Sequence, residues 1–146
     1  MHNFDRCEKR TRYKLIVREE KGRKFTIRNP DEIEVRVIQI DGCVFTNVTD
    51  GLRCDWLFVP TAGNVEIYVE LKGSDIGHGI KQLESTIQKV SENVRRTPKC
   101  CYIVSSRSNP AFSTRIQVAT KRFKKTYAAK LKVKNRSVEH NLTTQR

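Results

Sequence analysis

In the middle of the chain, apolar and polar positions alternate with the period of a strand. Ile33-Glu34-Val35-Arg36-Val37-Ile38-Gln39-Ile40 alternates up to Asp41-Gly42, and Leu57–Val59 and Val65–Leu71 are rich in β-branched and aromatic residues. Between the last two, Pro60-Thr61-Ala62-Gly63-Asn64 supplies turn residues, so residues 57–71 predict a hairpin. The period then changes. After Gly73-Ser74-Asp75, where Ser74 or Asp75 can cap a helix, Ile76, Ile80, Leu83, Ile87, Val90 and Val94 recur at helical spacing as far as Thr97-Pro98. Lys99–Ser105 follows as a buried strand, and a helix between two strands is the crossover that makes the later pairing parallel. A second helix opens at Asn109-Pro110, with Ile116, Ala119, Phe123 and Tyr127 on one face, and Leu131-Lys132-Val133-Lys134 alternates as a last strand.

The ends of the chain are less patterned. Leu15-Ile16-Val17 suits a strand or a short helix, Glu19–Arg23 a turn into Lys24–Arg28, and the polar tail from Glu139 a loose terminus. Asp50-Gly51 is a good two-residue hairpin turn. It would set Cys54 opposite Asn47, Cys43 opposite Phe58 and Asp41 opposite Pro60. Asp41 would then lie about 17 Å along the strand from Asp55 and reads as a turn residue.

The register of the 57–71 hairpin carries the chemistry. With residues 61–64 as a four-residue loop and Pro60 facing Val65, Asp55 falls across from Glu70, provided that no bulge intervenes. Like charges so opposed repel, and a divalent cation between them would offset the repulsion. Lys72 projects on the same face as Glu70, a fixed positive charge beside the pair. An isolated Glu-x-Lys is equally the mark of a solvated strand face with a cross-strand salt bridge. Its placement at a strand end with a partner Asp and a helix downstream argues for a site.

Asp55, fourteen intervening residues and then Glu70-Leu71-Lys72, followed by a helix, resembles the PD-(D/E)xK nuclease superfamily over residues 35–135. Cys54 stands where the name-giving proline would be, the loosest position of that motif. The resemblance implies an α/β fold with a restriction-endonuclease-like core, a central mixed β-sheet flanked by helices, and one domain spanning 1–146 with its core at about 33–135. It also implies that Asp55, Glu70 and the Leu71 carbonyl hold Mg2+, with Mn2+ as a substitute, and that Lys72 positions or activates the attacking water. Gln82 corresponds to a helix glutamine that some branches place near the metal, although Thr86 stands where they have tyrosine. The N-terminal metal-binding glutamate of many members has Glu8, Glu19 and Glu20 as candidates by order alone. His78 lies opposite the helix's apolar stripe and reads as solvent-facing.

Charge adds a partner. The 146-residue chain carries a net charge of +13, and no acidic residue occurs between Asn93 and Val138, so the whole excess lies in that segment. Such a one-sided field attracts polyanions. Arg115, Lys121, Arg122, Lys124, Lys125, Lys132 and Lys134 are the expected contacts to a nucleic-acid backbone, with DNA favoured by the superfamily's habits. The bland alternative is a solubility feature or a membrane-surface patch. No apolar run approaches the roughly 18 residues of a membrane span, and Met1–Arg6 has no secretion signal, so the chain reads as cytoplasmic. The five cysteines lack a zinc-site spacing and read as free thiols. The expected function is a metal-dependent nuclease acting on phosphodiester bonds, alone, as a homodimer or with a partner protein. A catalytically silent nucleic-acid-binding module of a larger complex is the alternative.

Overall fold

The computed structural model describes residues 4–47, 51–71, 75–106 and 113–143. Its centre is a six-stranded mixed sheet in the order β1 (Glu8–Thr11), β4 (Val35–Gln39), β5 (Trp56–Pro60), β6 (Glu66–Glu70), β7 (Lys99–Ser105) and β8 (Ala129–Asn135). Pairing is antiparallel from β1 to β6 and parallel from β6 through β7 to β8. Helix α1 (Ile76–Val90) links β6 to β7 and α2 (Thr114–Tyr127) links β7 to β8. The two parallel pairs therefore arise from the two helical crossovers. The expected α/β class and mixed sheet are present.

The sheet is covered on both faces. On one, Ile80, Leu83, Ile87 and Val90 of α1 and Ala119, Phe123 and Tyr127 of α2 pack on Leu57, Tyr68, Cys101, Ile103 and Leu131. On the other lies a three-stranded sheet of β2 (Leu15–Glu20), β3 (Arg23–Arg28) and β9 (Ser137–Asn141), with β3 central. Phe25 of β3 meets Phe58 and Tyr102 at ring-centroid distances of 5.3 and 5.2 Å, joining the two sheets through aromatic contacts. Strand β6 is consequently buried along its whole length. The alternative of a solvated Glu70 face is excluded by this cover.

Several sequence expectations change. Residues 15–20 are strand, turning through Lys21-Gly22, both at positive φ, into β3. The predicted hairpin about Asp50-Gly51 does not form as drawn: Pro60 pairs with Val35 and Phe58 with Val37, so β5 lies against β4 rather than against residues 41–47. Val35 and Val37 bury beneath the small sheet and Ile38 beneath the helices, whereas Asp41–Phe45 turns back on itself. Asp50 itself lies outside the described residues, as do Asn109 and Pro110. The tail from Glu139 is not loose, because Ser137–Asn141 pairs in parallel with β3 and Leu142 is buried below it. Cys7 and Cys43 are joined in a disulfide, which corrects the reading of all five cysteines as free thiols.

Helix α1 stops at Val90, four residues before the last position of its predicted stripe. Buried Glu66 is the reason. Its carboxylate accepts from the Tyr68 hydroxyl at 2.9 Å, the Ser91 hydroxyl at 2.7 Å and the Glu92 amide at 2.8 Å, drawing the chain out of the helix. Lys99, only 2 % exposed, points its ammonium at the carbonyls of Asn93, Val94, Thr97 and Tyr127 at 2.6–3.1 Å. It belongs to the core and not to the basic surface.

Two stability changes follow. Glu8 receives two hydrogen bonds from Arg36 at 2.6 and 2.8 Å, which hold its carboxyl below the usual value of 4.5. A lowered folded pKa stabilises fully above pH 4.5, and that contribution is lost as pH falls through the folded value. Urea denaturation should show Glu8→Gln less stable by roughly 1.5–3 kcal/mol at pH 7, with the difference shrinking at pH 3. Ala128 caps α2 in the left-handed region at φ 56° and is exposed, so Ala128→Gly should gain about 0.5–1 kcal/mol in the same measurement.

Candidate functional site

Strands β5 and β6 pair Trp56 with Val69, Leu57 with Tyr68 and Phe58 with Ile67, the register expected from the loop. Past Trp56 the ladder slips. The Asp55 amide donates to the Val69 carbonyl at 3.1 Å, so Asp55 and Trp56 both engage Val69, the two-against-one pattern of a bulge. The direct Asp55–Glu70 opposition of an unbulged hairpin is corrected accordingly. Asp55 Oδ2 instead accepts the Leu71 amide at 2.7 Å, which fixes its carboxylate at the end of β6, one residue beyond Glu70.

Both carboxylates are buried, Asp55 at 7 % exposure and Glu70 at 1 %. Glu70 alternates with Tyr68 and so faces the helices. The adjoining Cys54 thiol is fully buried, and its pKa is pushed far up by burial first, then by the negative charge of Glu70, and further by that of Asp55. Lys72 lies outside the described residues. The Leu71 side chain packs in the core beneath the small sheet, and its backbone is tied to Asp55.

Helix α1 holds this corner from above. The Thr86 hydroxyl accepts the Cys54 amide at 2.8 Å and donates to the Gln82 carbonyl at 2.9 Å, while Gln82 Nε2 donates to the Arg53 carbonyl at 3.2 Å. Gln82 thus reaches the backbone leading into Asp55. Thr86, noted in the sequence only for not being a tyrosine, is the stronger tie. From the other side the Asp55 carbonyl accepts the Ile40 amide at 3.0 Å, and Asp41 accepts from Arg53 Nε at 3.0 Å. Asp41 lies close to Asp55 along the chain's fold, not 17 Å away, although its ion pair keeps it a structural residue. Glu8 is committed to Arg36, and Glu19 and Glu20 sit on β2.

Among the described residues no group of three or more His, Cys, Asp and Glu side chains is arranged to hold a metal ion. Asp55 and Glu70 form a pair of hard oxygen donors. Such a pair fits Mg2+, which is commonly held by one or two carboxylates with water and substrate phosphate completing the shell, rather than by an all-protein cage.

The expected nucleic-acid contacts divide between two faces. Arg115, Lys121, Lys124 and Lys125 are exposed on α2, and Lys132 and Lys134 are exposed on β8, where alternation turns them to the side away from the helices. Arg122 is bound through two hydrogen bonds of 3.0 and 3.1 Å to Glu84. Arg115 lies over Gly77, where a Cβ would come within 2.6 Å of its Nη1, and lines a cavity of about 540 Å3 between α1 and α2 together with exposed His78 and Lys81. Lysines on an edge strand such as β8 also discourage edge-to-edge association. No helix of the described residues is long and apolar enough to cross a membrane. Comparison with protein families, curated proteins and solved structures finds no match.

Removing the Thr86 hydroxyl strands a buried amide. Thr86→Val should cost about 1–3 kcal/mol in urea denaturation and accelerate hydrogen exchange at the Cys54 amide, whereas Thr86→Ser should restore both.

Proposed function

We propose that the protein is a metal-dependent nuclease with a restriction-endonuclease-like core that hydrolyses phosphodiester bonds, most naturally in DNA. The observation that carries this reading is the gathering of Asp55 and Glu70, both buried, at the adjoining ends of β5 and β6, where Gln82 and Thr86 of α1 hold the chain leading into Asp55. Two acids in so dry a corner are costly for stability alone, and a cation shared between them gives the arrangement a use.

Asp55 and Glu70 would hold Mg2+ or Mn2+, with the Leu71 carbonyl as the third protein donor. When bound, the cation supplies polarisation of a phosphoryl oxygen and acidification of a water. The chain's own residues do the rest. The Leu71 amide and the Thr86–Cys54 bond keep the Asp55 carboxylate from turning away. Lys72, two residues beyond Glu70, supplies positive charge for the developing negative charge on the phosphate. Exposed arginine and lysine side chains of α2 and β8 attract the backbone without reading sequence.

With Mg2+ or Mn2+, wild type should cut one or more of a panel of supercoiled, linear, branched and single-stranded DNAs. Asp55→Ala, Glu70→Ala and Lys72→Ala should each lose at least about 10²–10³-fold in rate. Independently of turnover, Mg2+ should raise the melting temperature of wild type and leave that of Asp55→Asn and Glu70→Gln unchanged. A protein that shifts DNA in low salt yet cuts none of these substrates, with no response to metal, is instead a silent binding module.

A further inference from the structure

On the face of the main sheet opposite the helices, β7, β8 and β9 enclose a cleft of about 290 Å3 lined by Cys100, Tyr102, Lys130, Lys132 and His140. Its floor is set by register. Parallel pairing puts Cys100 beside Lys130 and Tyr102 beside Lys132, and in a parallel pair such partners share a face. Both lysines are exposed, on the edge strand of the sheet. After β8 the chain turns through Arg136, at φ 66°, and returns as β9 across this face, bringing His140 over Tyr102. The Tyr102 hydroxyl and His140 Nδ1 are 2.6 Å apart, and the rings meet edge to face at a centroid distance of 5.7 Å.

We propose that this cleft binds a phosphate group, with Lys130 and Lys132 supplying charge and His140 an N–H donor. It is a site separate from the Asp55–Glu70 corner and does not depend on the nuclease reading.

Three features carry the assignment. First, the lining has an uncompensated positive charge. Its one carboxylate, Glu139, is held by Arg28 at 2.7 and 2.8 Å, and the half-buried Cys100 thiol stays protonated because burial raises its pKa. Second, the Tyr102–His140 contact engages Nδ1 and leaves Nε2 as the ring nitrogen for a ligand, an N–H donor in the tautomer in which the tyrosine hydroxyl donates to Nδ1 and in the imidazolium that a bound anion favours. Third, the cavity lies at the small end of the range for ligand sites, enough for a compact oxyanion and its waters but not for an extended organic molecule. The phosphate could come from a free nucleotide or inorganic phosphate, or from the end of a nucleic-acid strand. Recognition would be the same.

His140 is also the reporter. Burial, followed by the charge of Lys132, holds its pKa below 6.5. The groups facing it are Tyr102 and Cys100 from β7, Lys130 and Lys132 from β8, and Glu139 within β9, the last paired with Arg28 of β3. A bound anion beside Lys132 would raise the histidine's pKa. The experiment is a titration of the full chain with inorganic phosphate in the presence of chelator, following the ring resonances of His140 by NMR, with exposed His78 as internal reference and sodium chloride as ionic-strength control.

The expected result is a saturable shift and an upward pKa change at His140 alone. Lys130→Ala/Lys132→Ala should weaken the apparent affinity at least about tenfold, and His140→Gln should weaken the same binding read by calorimetry. A response at His140 that matches the chloride control, or one that the double lysine variant leaves unaltered, overturns the proposal. Source is read by substitution of the probe. Saturation by a nucleoside monophosphate but not by a 5′-phosphorylated oligonucleotide supports a free-phosphate site. Saturation by the phosphorylated oligonucleotide and not by its unphosphorylated counterpart supports a strand-end site.

Discussion

Strand β6 is buried on both faces yet carries a glutamate at each end, and much of the molecule follows from what those two acids require. Helices cover one side and the β2–β3–β9 sheet the other, so neither side chain can reach bulk water by turning over. At one end Glu66 is answered by a hydroxyl from its own strand, and by a hydroxyl and an amide from the chain leaving α1. That answer ends the helix early, and Lys99 then collects carbonyls of the released segment and of the end of α2. This end is closed. At the other end Glu70 shares its corner with Asp55 and Cys54, under Gln82 and Thr86 of α1.

The Glu70 corner is assembled from parts distant in sequence. Thr86 and Gln82, one helical turn apart on α1, hold the backbone of residues 53 and 54. The Leu71 amide holds the Asp55 side chain, and the Ile40 amide holds the Asp55 carbonyl. The Cys7–Cys43 disulfide ties the turn after Ile40 to the start of β1. Asp55 is thereby anchored by its side chain and both sides of its backbone, the degree of constraint that a preorganised acidic group needs.

The basic residues form two surfaces rather than one. Those of α2 lie on the helix side of β8 and the alternate lysines of β8 on the other, so the edge of the sheet separates them. A single stretch of sequence free of acids becomes a field on both sides of one edge. Among the described residues, the β8 side is the one roofed by another strand, and there the lysines meet a part-buried tyrosine–histidine contact.

Local periodicity was enough to determine the hairpin register of β5 and β6, the apolar faces of α1 and α2, and the buried β7. Each of these depends on residues a few positions apart, and burial repeats with the period of the element. The pairing of Asp55 with Glu70 as neighbours was legible for the same reason. The sequence could not show the bulge that turned direct opposition into a bond with the Leu71 amide, because a bulge leaves no mark in an alternating pattern this short. Strand β9 was hidden as well: Ser137-Val138-Glu139-His140-Asn141 is polar, and its place comes from the edge of β3, more than a hundred residues away. The partner of β4, the Cys7–Cys43 bond, the burial of Lys99 and the meeting of Tyr102 with His140 likewise belong to tertiary structure. Each is decided by which distant group arrives alongside, and a side chain's own chemistry does not say whether a carbonyl, an acid or open water will face it.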